Sequence, residues 1–277
     1  MIKAKVSQWG QKQFRRVTTL EDVHTLGSTA RASLVFLGKL VQLSIFFFKE
    51  LFRKPFEWQE IKFQCEQIGL RSLPIAAVTL LFVGFVFAFQ FGVTLRLMGA
   101  LPYIGKITSL SVLRELGPVF TALVVGGRIG AGMAAEIGSM RVTEQIDAIW
   151  ALGANPYKKL LVPRVVAATL MLPLLALIAS IISIGGSILV SWIEFSVSPA
   201  QFYHSALQTV RMWDFAGGFL KPFFFGYFTA IVGCLHGFEC EAGTRGVGQA
   251  TTRAVVSVSL MVVFVDFFLT RLLEMMR

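Results

Sequence analysis

Two long runs without a charged residue constrain the fold of this chain more than any other feature. They cover residues 72–95 and 165–193 and contain 24 and 29 residues. As α-helices they reach about 36 and about 44 Å, more than the roughly 30 Å of a bilayer's hydrocarbon core. Only 15% of the chain is charged, too little to cover a soluble protein of this size with polar surface. The sequence therefore predicts an all-α integral membrane protein.

Three further spans are predicted where the apolar segments are shorter or carry a charge. The second span lies between Glu115 and Arg128, where only twelve residues are uncharged, so its helix must continue through charge or break at residues 117–118. The last two spans are predicted at residues 222–238, with a start near residue 215, and at residues 251–273. About five membrane-spanning helices therefore form a transmembrane domain over residues 61–277.

The N-terminal residues 1–60 are predicted to form a cytoplasmic and interfacial region. Residues 31–52 are apolar but carry Lys39, and a charge at the centre of a spanning helix costs about 2.5–3.5 kcal/mol. We therefore expect an interfacial elbow helix there, with a true span as the alternative. Residues 1–71 hold twelve Lys and Arg. Because basic residues concentrate on the cytoplasmic side of membrane proteins, the N-terminus is predicted to be cytoplasmic.

With this orientation, the segment between the second and third spans is also cytoplasmic. Over residues 134–153 it is predicted to be an amphipathic helix. Its apolar face consists of Val142, Ile146, Ile149 and Trp150, and its polar face of Arg141, Glu144, Gln145 and Asp147. Such a helix either rests on the membrane surface or docks on a soluble partner, and periodicity does not decide between the two. The connections at residues 96–111 and 194–213 are predicted as loops on the opposite side.

No motif indicates that this chain binds ATP or catalyses a reaction. The sequence lacks a GxxxxGK[ST] phosphate loop, so if ATP drives the protein, ATP and Mg²⁺ are expected on a partner. It also lacks a GxSxG nucleophile motif. The three Cys form no CxxC pair and the three His show no HExxH spacing, so we expect no metal site and no cofactor in this chain. The net charge of +10 is attributed to contacts with anionic lipid headgroups rather than with nucleic acid.

A resemblance to a known family covers most of residues 70–275. Its densest part is residues 113–164, LRELGPVFTALVVGGRIGAGMAAEIGSMRVTEQIDAIWALGANPYKKLLVPR, and a second part is residues 246–270, GVGQATTRAVVSVSLMVVFVDFFLT. Both resemble the MlaE-like permeases, the membrane subunits of lipid-transporting ABC systems that carry mammalian-cell-entry (MCE) proteins. The pattern ELGP…GR…G…AEIG.M…TEQIDA is long and dense, so chance is a poor explanation for it.

The resemblance implies a transporter with several partners. It implies that the chain forms a homodimer in a bacterial inner membrane, moves phospholipid, binds two cytoplasmic ABC ATPases and is capped by a ring of MCE subunits. It also implies that residues 136–155 contain the coupling helix that seats in the ATPase. The predicted docking residues on the polar side of this segment are Glu136, Arg141, Glu144 and Asp147.

The predicted lipid path combines charged and apolar side chains of the spans. Arg114 and Glu115 either line the path near a lipid headgroup or form a structural pair in an interrupted second helix. The apolar wall is predicted to consist of Leu80, Phe82, Phe89, Val262 and Phe268. An apolar side chain on a spanning helix faces lipid by default, so lipid contact is the alternative for these five. Arg128 and Glu136 are expected to have structural or coupling roles rather than cargo contacts.

Two other classes of function stay open from the residues alone. An ion-coupled secondary transporter needs intramembrane carboxylates that exchange protons, and Glu115 and Asp266 are the candidates. Of the two basic residues considered as partners for Asp266, Arg253 lies about thirteen residues away, too far for a contact along one helix, which leaves Arg271. An intramembrane enzyme is disfavoured because no pair of nucleophile and base stands out.

Small residues on the second span predict close helix packing. Gly126 and Gly130 form a small-xxx-small pair, which lets two helices approach closely. The helix is therefore expected to lie against protein rather than lipid, which would shelter Glu115 and Arg128 from the hydrocarbon. The same small residues favour a homodimer.

Overall fold

The described part of the protein is entirely helical in its regular structure. The computed structural model describes residues 28–53, 57–208 and 210–276, with side chains from residue 34 onward. Five helical segments of this part are long and apolar enough to cross a membrane: Trp58–Leu97, Leu101–Val142, Tyr157–Phe195, Met212–Phe238 and Thr244–Met275. The prediction of an all-α membrane protein with about five spans is therefore confirmed.

Nine α-helices make up the described ranges. In chain order they are α1 (Ser28–Leu51), α2 (Trp58–Leu97), α3 (Ile104–Ser111), α4 (Gly117–Val142), α5 (Gln145–Ala151), α6 (Val162–Phe195), α7 (Pro199–Leu207), α8 (Met212–Phe238) and α9 (Thr244–Met275). The five spans alternate in direction. One end of the bundle therefore carries α5, the start of α2 and the end of α4, and we call it the α5 end. The other carries α7, and we call it the α7 end.

Helix α2 begins fourteen residues before the uncharged run that marks its membrane span. Pro74 therefore lies well inside this helix. The polar residues 58–71 belong to the same helix as the apolar span. Hydropathy indicates only where the hydrocarbon core begins, whereas the backbone hydrogen bonds of a helix can continue beyond that point. A proline is tolerated inside a membrane helix when its surroundings satisfy the freed backbone carbonyl.

The second span shows no break at residues 117–118. A five-residue π-helical turn, Val112–Leu116, joins α3 to α4, and the helical path continues from Leu101 to Val142. The wider turn admits one extra residue, so the helix passes through Arg114 and Glu115 without interruption. The expected loop at residues 96–111 is wrong over most of its length, because a 3₁₀ turn at Leu101–Tyr103 and α3 occupy it.

The remaining connections are also more helical than the sequence suggested. The expected loop at residues 194–213 contains α7, whose start is capped by the Ser198 hydroxyl accepting from the Gln201 amide at 3.2 Å. Helix α8 begins at Met212, three residues before the predicted start near residue 215, and the Asp214 carboxylate caps it by accepting from the Arg211 amide at 3.2 Å. A side chain that satisfies a free amide at a helix start favours that start.

Gly126 and Gly130 of α4 face other helices of the same chain. A Cβ atom at Gly130 would lie 2.8 Å from Val258 Cγ2 of α9, and one at Gly126 would lie 3.0 Å from Thr229 Oγ1 of α8. Both glycines are buried, which confirms that this helix lies against protein. These two positions are used within the chain, so they do not supply a surface for a second copy. The predicted homodimer stays a prediction.

Helices α2 and α6 approach each other closely at Gly84. A Cβ atom there would lie 2.1 Å from the backbone oxygen of Ser183, and Ser187 Oγ donates to the Gly84 oxygen at 3.1 Å. Backbone atoms cannot yield as a flexible side chain can. We expect Gly84→Ala to lower the free energy of unfolding by about 1–3 kcal/mol, the usual cost of overpacking, measured by denaturant titration of helicity in detergent.

Gly185, on α6, is the matched control for this substitution. It is exposed, and a Cβ atom there meets nothing within 4 Å. Because alanine favours a helix over glycine by roughly 1 kcal/mol, Gly185→Ala is expected to be neutral or stabilising. Equal destabilisation by both substitutions would contradict a tight helix crossing at Gly84.

The N-terminal helix α1 packs beside the α5 end of the bundle. Lys39 Nζ lies 2.6 Å from Glu239 Oε1, at the end of α8. The buried side chains Leu40, Leu43 and Phe47 lie on the side of α1 that joins the core. The prediction of a helix over residues 31–52 is therefore confirmed, whereas its position in the membrane interface stays a prediction. Residues 1–27 of the predicted N-terminal region lie outside the described residues.

Candidate functional site

Lys221 is the centre of a group of charged side chains inside the bundle. Its side chain is only 3% exposed, and its Nζ forms ion pairs with Glu115 and with Asp266, the latter at 3.0 Å. Nζ also donates to Thr270 Oγ1 at 2.7 Å. A buried lysine needs such partners because hydrocarbon offers no hydration. Lys221 therefore ties α8 to the π-helical turn before α4 and to α9.

Arg114 extends this group toward the α7 end. Its Nη2 lies 2.6 Å from Glu274 Oε2, and its Nε lies 3.7 Å from Asp214 Oδ1. Arg114 and Glu115 thus bind different partners, and the predicted structural pair between them is not what the structure shows. We call these seven side chains the ion cluster: Arg114, Glu115, Asp214, Lys221, Asp266, Thr270 and Glu274.

The ion cluster lies within the spans. Lys221 follows the first residue of α8 by nine residues, and Asp266 precedes the last residue of α9 by nine, so both lie about 14 Å along their helices from the α7 end. All members of the cluster except Asp266 line a cleft with an internal volume of about 20 Å³. Such a volume holds about one water molecule and no headgroup. The six ionisable side chains are two cations and four carboxylates, so the cleft is acidic.

The apolar residues predicted for the lipid path fall into two groups within one chain. Leu80 and Val262 are fully buried in the bundle core. Phe82 on α2 and Phe268 on α9 are more than half exposed on the outer surfaces of these helices. Phe89 on α2 is half exposed. The chain alone does not bring the five side chains into one wall, and their role in the lipid path stays a prediction.

The predicted amphipathic segment is two helices rather than one. Helix α4 continues to Val142, and α5 begins at Gln145. Glu144 between them adopts a left-handed backbone with φ of 59°, which no helix continues through. The Thr143 hydroxyl donates to the Ser139 oxygen at 2.9 Å and occupies the last turn of α4. The predicted coupling helix over residues 136–155 is therefore wrong in its extent, because its first part belongs to the second span.

The predicted two faces of this segment are nevertheless present. Ile146 and Ile149 pack against the bundle core, and Val142 and Trp150 are half-buried. The side chains of Arg141, Glu144, Gln145 and Asp147 are exposed at the α5 end. Leu152, which breaks the pattern, is 86% exposed. The polar face is thus free to meet a partner.

One aromatic ring holds α5 in place. Tyr157, just before α6, lies edge-on to Trp150 with ring centroids 6.4 Å apart. It also stacks on Phe46 of α1 at 5.2 Å and packs against Phe238 of α8 at 5.1 Å. We call these four rings the aromatic junction. Aromatic pairs of this geometry contribute about 0.5–1.5 kcal/mol each beyond their buried area, so α5 has a defined position on the bundle.

Glu136 differs from the other predicted docking residues. It lies on α4, about 9 Å along the helix from Val142, and its Oε2 is 2.9 Å from Nη2 of Arg164 on α6. Arg164 is almost completely buried and also donates to the Leu160 oxygen at 2.7 Å. Glu136 is therefore a partner of a buried cation within the chain, and its contact with an ATPase stays a prediction.

Sequence reasoning missed four members of the ion cluster: Asp214, Lys221, Thr270 and Glu274. Lys221 was not considered, although the predicted start of the fourth span near residue 215 included it, and Arg271 rather than this lysine was left as the partner for Asp266. Asp214 and Glu274 were not considered. A lysine inside the apolar stretch FLKPFFF was an available signal, because an ionisable residue in a membrane helix usually has a charged partner.

These features together define a class of protein. A bundle of five apolar helices, with an ion cluster inside it and a short amphipathic helix outside it, is a multi-pass membrane protein of the transporter type. The family described as permease MlaE matches residues 61–272. The chain belongs to this family, and it is an ABC transporter permease.

Named relatives agree with this assignment. A probable ABC transporter permease protein of Synechocystis is 41% identical over 76% of this chain and 80% of the relative. The intermembrane phospholipid transport system permease protein MlaE of Haemophilus influenzae is 36% identical over 76% of this chain and 81% of its own. The chloroplastic protein TRIGALACTOSYLDIACYLGLYCEROL 1 of Arabidopsis thaliana is 37% identical over 77% of this chain and 61% of its own.

Proposed function

We propose that this chain is the membrane subunit of an ATP-driven phospholipid transporter in a bacterial inner membrane. A separate cytoplasmic ABC ATPase binds and hydrolyses ATP with Mg²⁺, and the chain converts the resulting motion into lipid movement. A homodimer of the chain carries two such ATPases, and a ring of MCE subunits receives or delivers lipid at the α7 end. The N-terminus and the α5 end are then cytoplasmic.

The observation that carries this proposal is the position of α5. Its apolar face is fixed on the bundle while Glu144, Gln145 and Asp147 are exposed. A helix that only rested on a membrane surface would turn its apolar face toward lipid, whereas this one packs Ile146 and Ile149, both partly buried, against its own chain. An exposed polar face on a fixed helix suits contact with a soluble protein. The sequence lacks a phosphate-binding loop, which supports the proposal that the partner binds ATP.

The ion cluster is the proposed polar part of the lipid path. Charged groups inside a membrane protein commonly mark the route of a polar substrate. The acidic excess of the cluster suits the ammonium group of a zwitterionic lipid. Its cleft within one chain is too small for a headgroup. We therefore propose that the path opens when the helices move, or at the contact between two copies of the chain.

Reconstitution tests this proposal directly. The permease is purified with its ATPase and MCE subunits, placed in proteoliposomes, and assayed for transfer of a fluorescent phospholipid with ATP or with a non-hydrolysable analogue. We expect transfer only with ATP. Transfer that is insensitive to ATP hydrolysis, or abolished by a proton uncoupler, would favour the ion-coupled alternative at Glu115 and Asp266.

The substitution Glu115→Gln tests the lipid path in the same assay. It removes one carboxylate while Lys221 keeps Asp266 as a partner, so the complex is expected to assemble. ATP-driven transfer is expected to fall about tenfold, equivalent to 1.4 kcal/mol, because a group on the path is lost. Unchanged transfer by an intact complex would remove Glu115 from the path, whereas failed assembly would assign it a structural role.

A further inference from the structure

A groove lies between α2 and α4, apart from the ion cluster. It has a volume of about 460 Å³, within the range of small-molecule sites. Its apolar walls include Phe63 and Met133, and its polar groups include Gln67 and Arg128. A Cβ atom at Gly132, which also lines the groove, would meet nothing within 4 Å. The groove is therefore open and combines apolar with polar lining.

Arg128 stands out among the charged side chains inside the spans. It is exposed to the groove, and its Nη1 donates to Ser72 Oγ at 2.7 Å. Among the described residues, no carboxylate lies within ion-pair distance of it, in contrast to Lys221 and Arg164. Charged groups at membrane depth pair with one another or face a water-filled cavity, so this guanidinium has capacity for an anion.

The charge of the groove is also suited to an anion. Glu136 is its only lining carboxylate, and Arg164 already pairs with it. Arg128 is thus left as an uncompensated positive charge, with the Gln67 amide nearby as a further polar group of the lining. A planar guanidinium binds phosphate oxygens through two parallel hydrogen bonds.

The depth of the groove matches one leaflet. Arg128 lies fourteen residues before the end of α4, and its partner Ser72 begins the uncharged run of α2. Both lie about 21 Å along their helices from the α5 end. The rest of the groove extends from there toward the α5 end, past Gln64 and Phe63. The guanidinium is therefore at the border between hydrocarbon and headgroups, on the side proposed to be cytoplasmic.

We infer that this groove binds the headgroup phosphate of a phospholipid from the leaflet at the α5 end, with Arg128 as the anion ligand, the lining on the α5 side of Arg128 against the rest of the headgroup, and the acyl chains leaving the groove toward the middle of the bilayer. The inference rests on the proposed function for the choice of a lipid as the ligand. The site is separate from the ion cluster, which lies near the opposite end of the bundle. It gives the permease a second lipid contact, on the side of its coupling helix.

Photochemical capture tests the inference. The full-length permease carries a photo-crosslinking amino acid at position 63 and is placed in nanodiscs with radiolabelled phosphatidylglycerol, without ATP or ATPase. We expect lipid to be captured by the chain, and Arg128→Gln to lower the capture about tenfold. Arg128→Lys keeps a charge but not the two-pronged geometry, so intermediate capture is expected. This second variant also keeps the test decisive if Arg128→Gln does not fold.

Arg71 provides the matched control. It is an exposed arginine on α2 next to Ser72 and does not line the groove. Capture that falls equally with Arg71→Gln would indicate only general attraction of lipid to basic residues, and would overturn the assignment. Capture of a second permease chain would identify the groove as a protein interface. Competition by millimolar inorganic phosphate in place of lipid would identify a site for free anions. Both results would overturn it.

The test separates this inference from the proposed function. Capture is measured without ATP, whereas the proposed function is measured as ATP-driven transfer. Normal transfer with no lipid captured at position 63 would remove the groove site alone. Capture that depends on Arg128, in a chain that neither binds an ATPase nor transfers lipid, would remove the proposed function alone.

Discussion

Replacing Lys221 by methionine is expected to cost more stability than any other single substitution considered for this chain. Methionine approximates the length of the side chain but removes its charge, so Glu115 and Asp266 would face each other without a cation. Breaking a buried ion pair by removing one partner costs about 3–5 kcal/mol. The free energy of unfolding, measured by denaturant titration in detergent, is expected to fall by this amount.

Two controls identify the cause of that loss. Lys106 is an exposed lysine at the α7 end, and Lys106→Met should leave the unfolding free energy almost unchanged. Adding Glu115→Gln and Asp266→Asn to Lys221→Met removes the stranded charges, and most of the lost stability should return. A triple variant no more stable than Lys221→Met would show that packing, rather than charge, is what the lysine contributes.

Reversing the charge at Glu144 is expected to detach the ATPase while leaving the permease intact. Glu144→Arg places a cation where the exposed face of α5 is proposed to meet its partner. A misplaced interfacial charge costs several kcal/mol, and each 1.4 kcal/mol is a factor of ten in affinity. We expect at least a tenfold weaker interaction in a titration of purified ATPase onto the permease, and a matching loss of ATP-driven lipid transfer.

The left-handed backbone of Glu144 requires its own control. Arginine and glutamate have similar difficulty at φ of 59°, so the charge swap should not change the turn, whereas asparagine tolerates it better. Glu144→Asn should therefore keep the fold and lose only the carboxylate. Glu194→Arg, an exposed charge swap at the α7 end, should bind the ATPase normally. An unchanged titration with Glu144→Arg would make α5 a passive surface helix.

Hydropathy and periodicity predicted the parts of this fold that depend on local sequence. Two long uncharged runs and three shorter or charge-bearing apolar segments predicted the five spans, because a helix that crosses hydrocarbon must be mostly apolar over about twenty residues. The apolar face of α5 was predicted from Ile146 and Ile149, which do pack on the bundle. The ends of the helices were not predicted. Residues 58–71 and 199–207 are helical although they are mostly polar. The change in hydropathy along the chain therefore does not mark where a helix begins or ends.

The ion cluster could be predicted only in part. Glu115 and Asp266 were recognised because each interrupts an apolar segment, but their shared partner was not. Lys221 is 106 residues from the first and 45 from the second, and the choice of partner depends on which faces of three helices meet. The turn at Glu144 was missed for a different reason. Glycine or asparagine normally marks a left-handed residue, and glutamate gives no such signal.

The aromatic junction can form only late in the synthesis of this protein. Its members lie at positions 46, 150, 157 and 238, on α1, α5, the start of the third span and the end of α8. Because Phe238 leaves the ribosome last, the junction closes only after four of the five spans have been synthesised. A truncated or stalled chain therefore presents α5 on an incomplete support. The surface proposed to meet the soluble partner thus becomes complete late, when most of the membrane domain is already made.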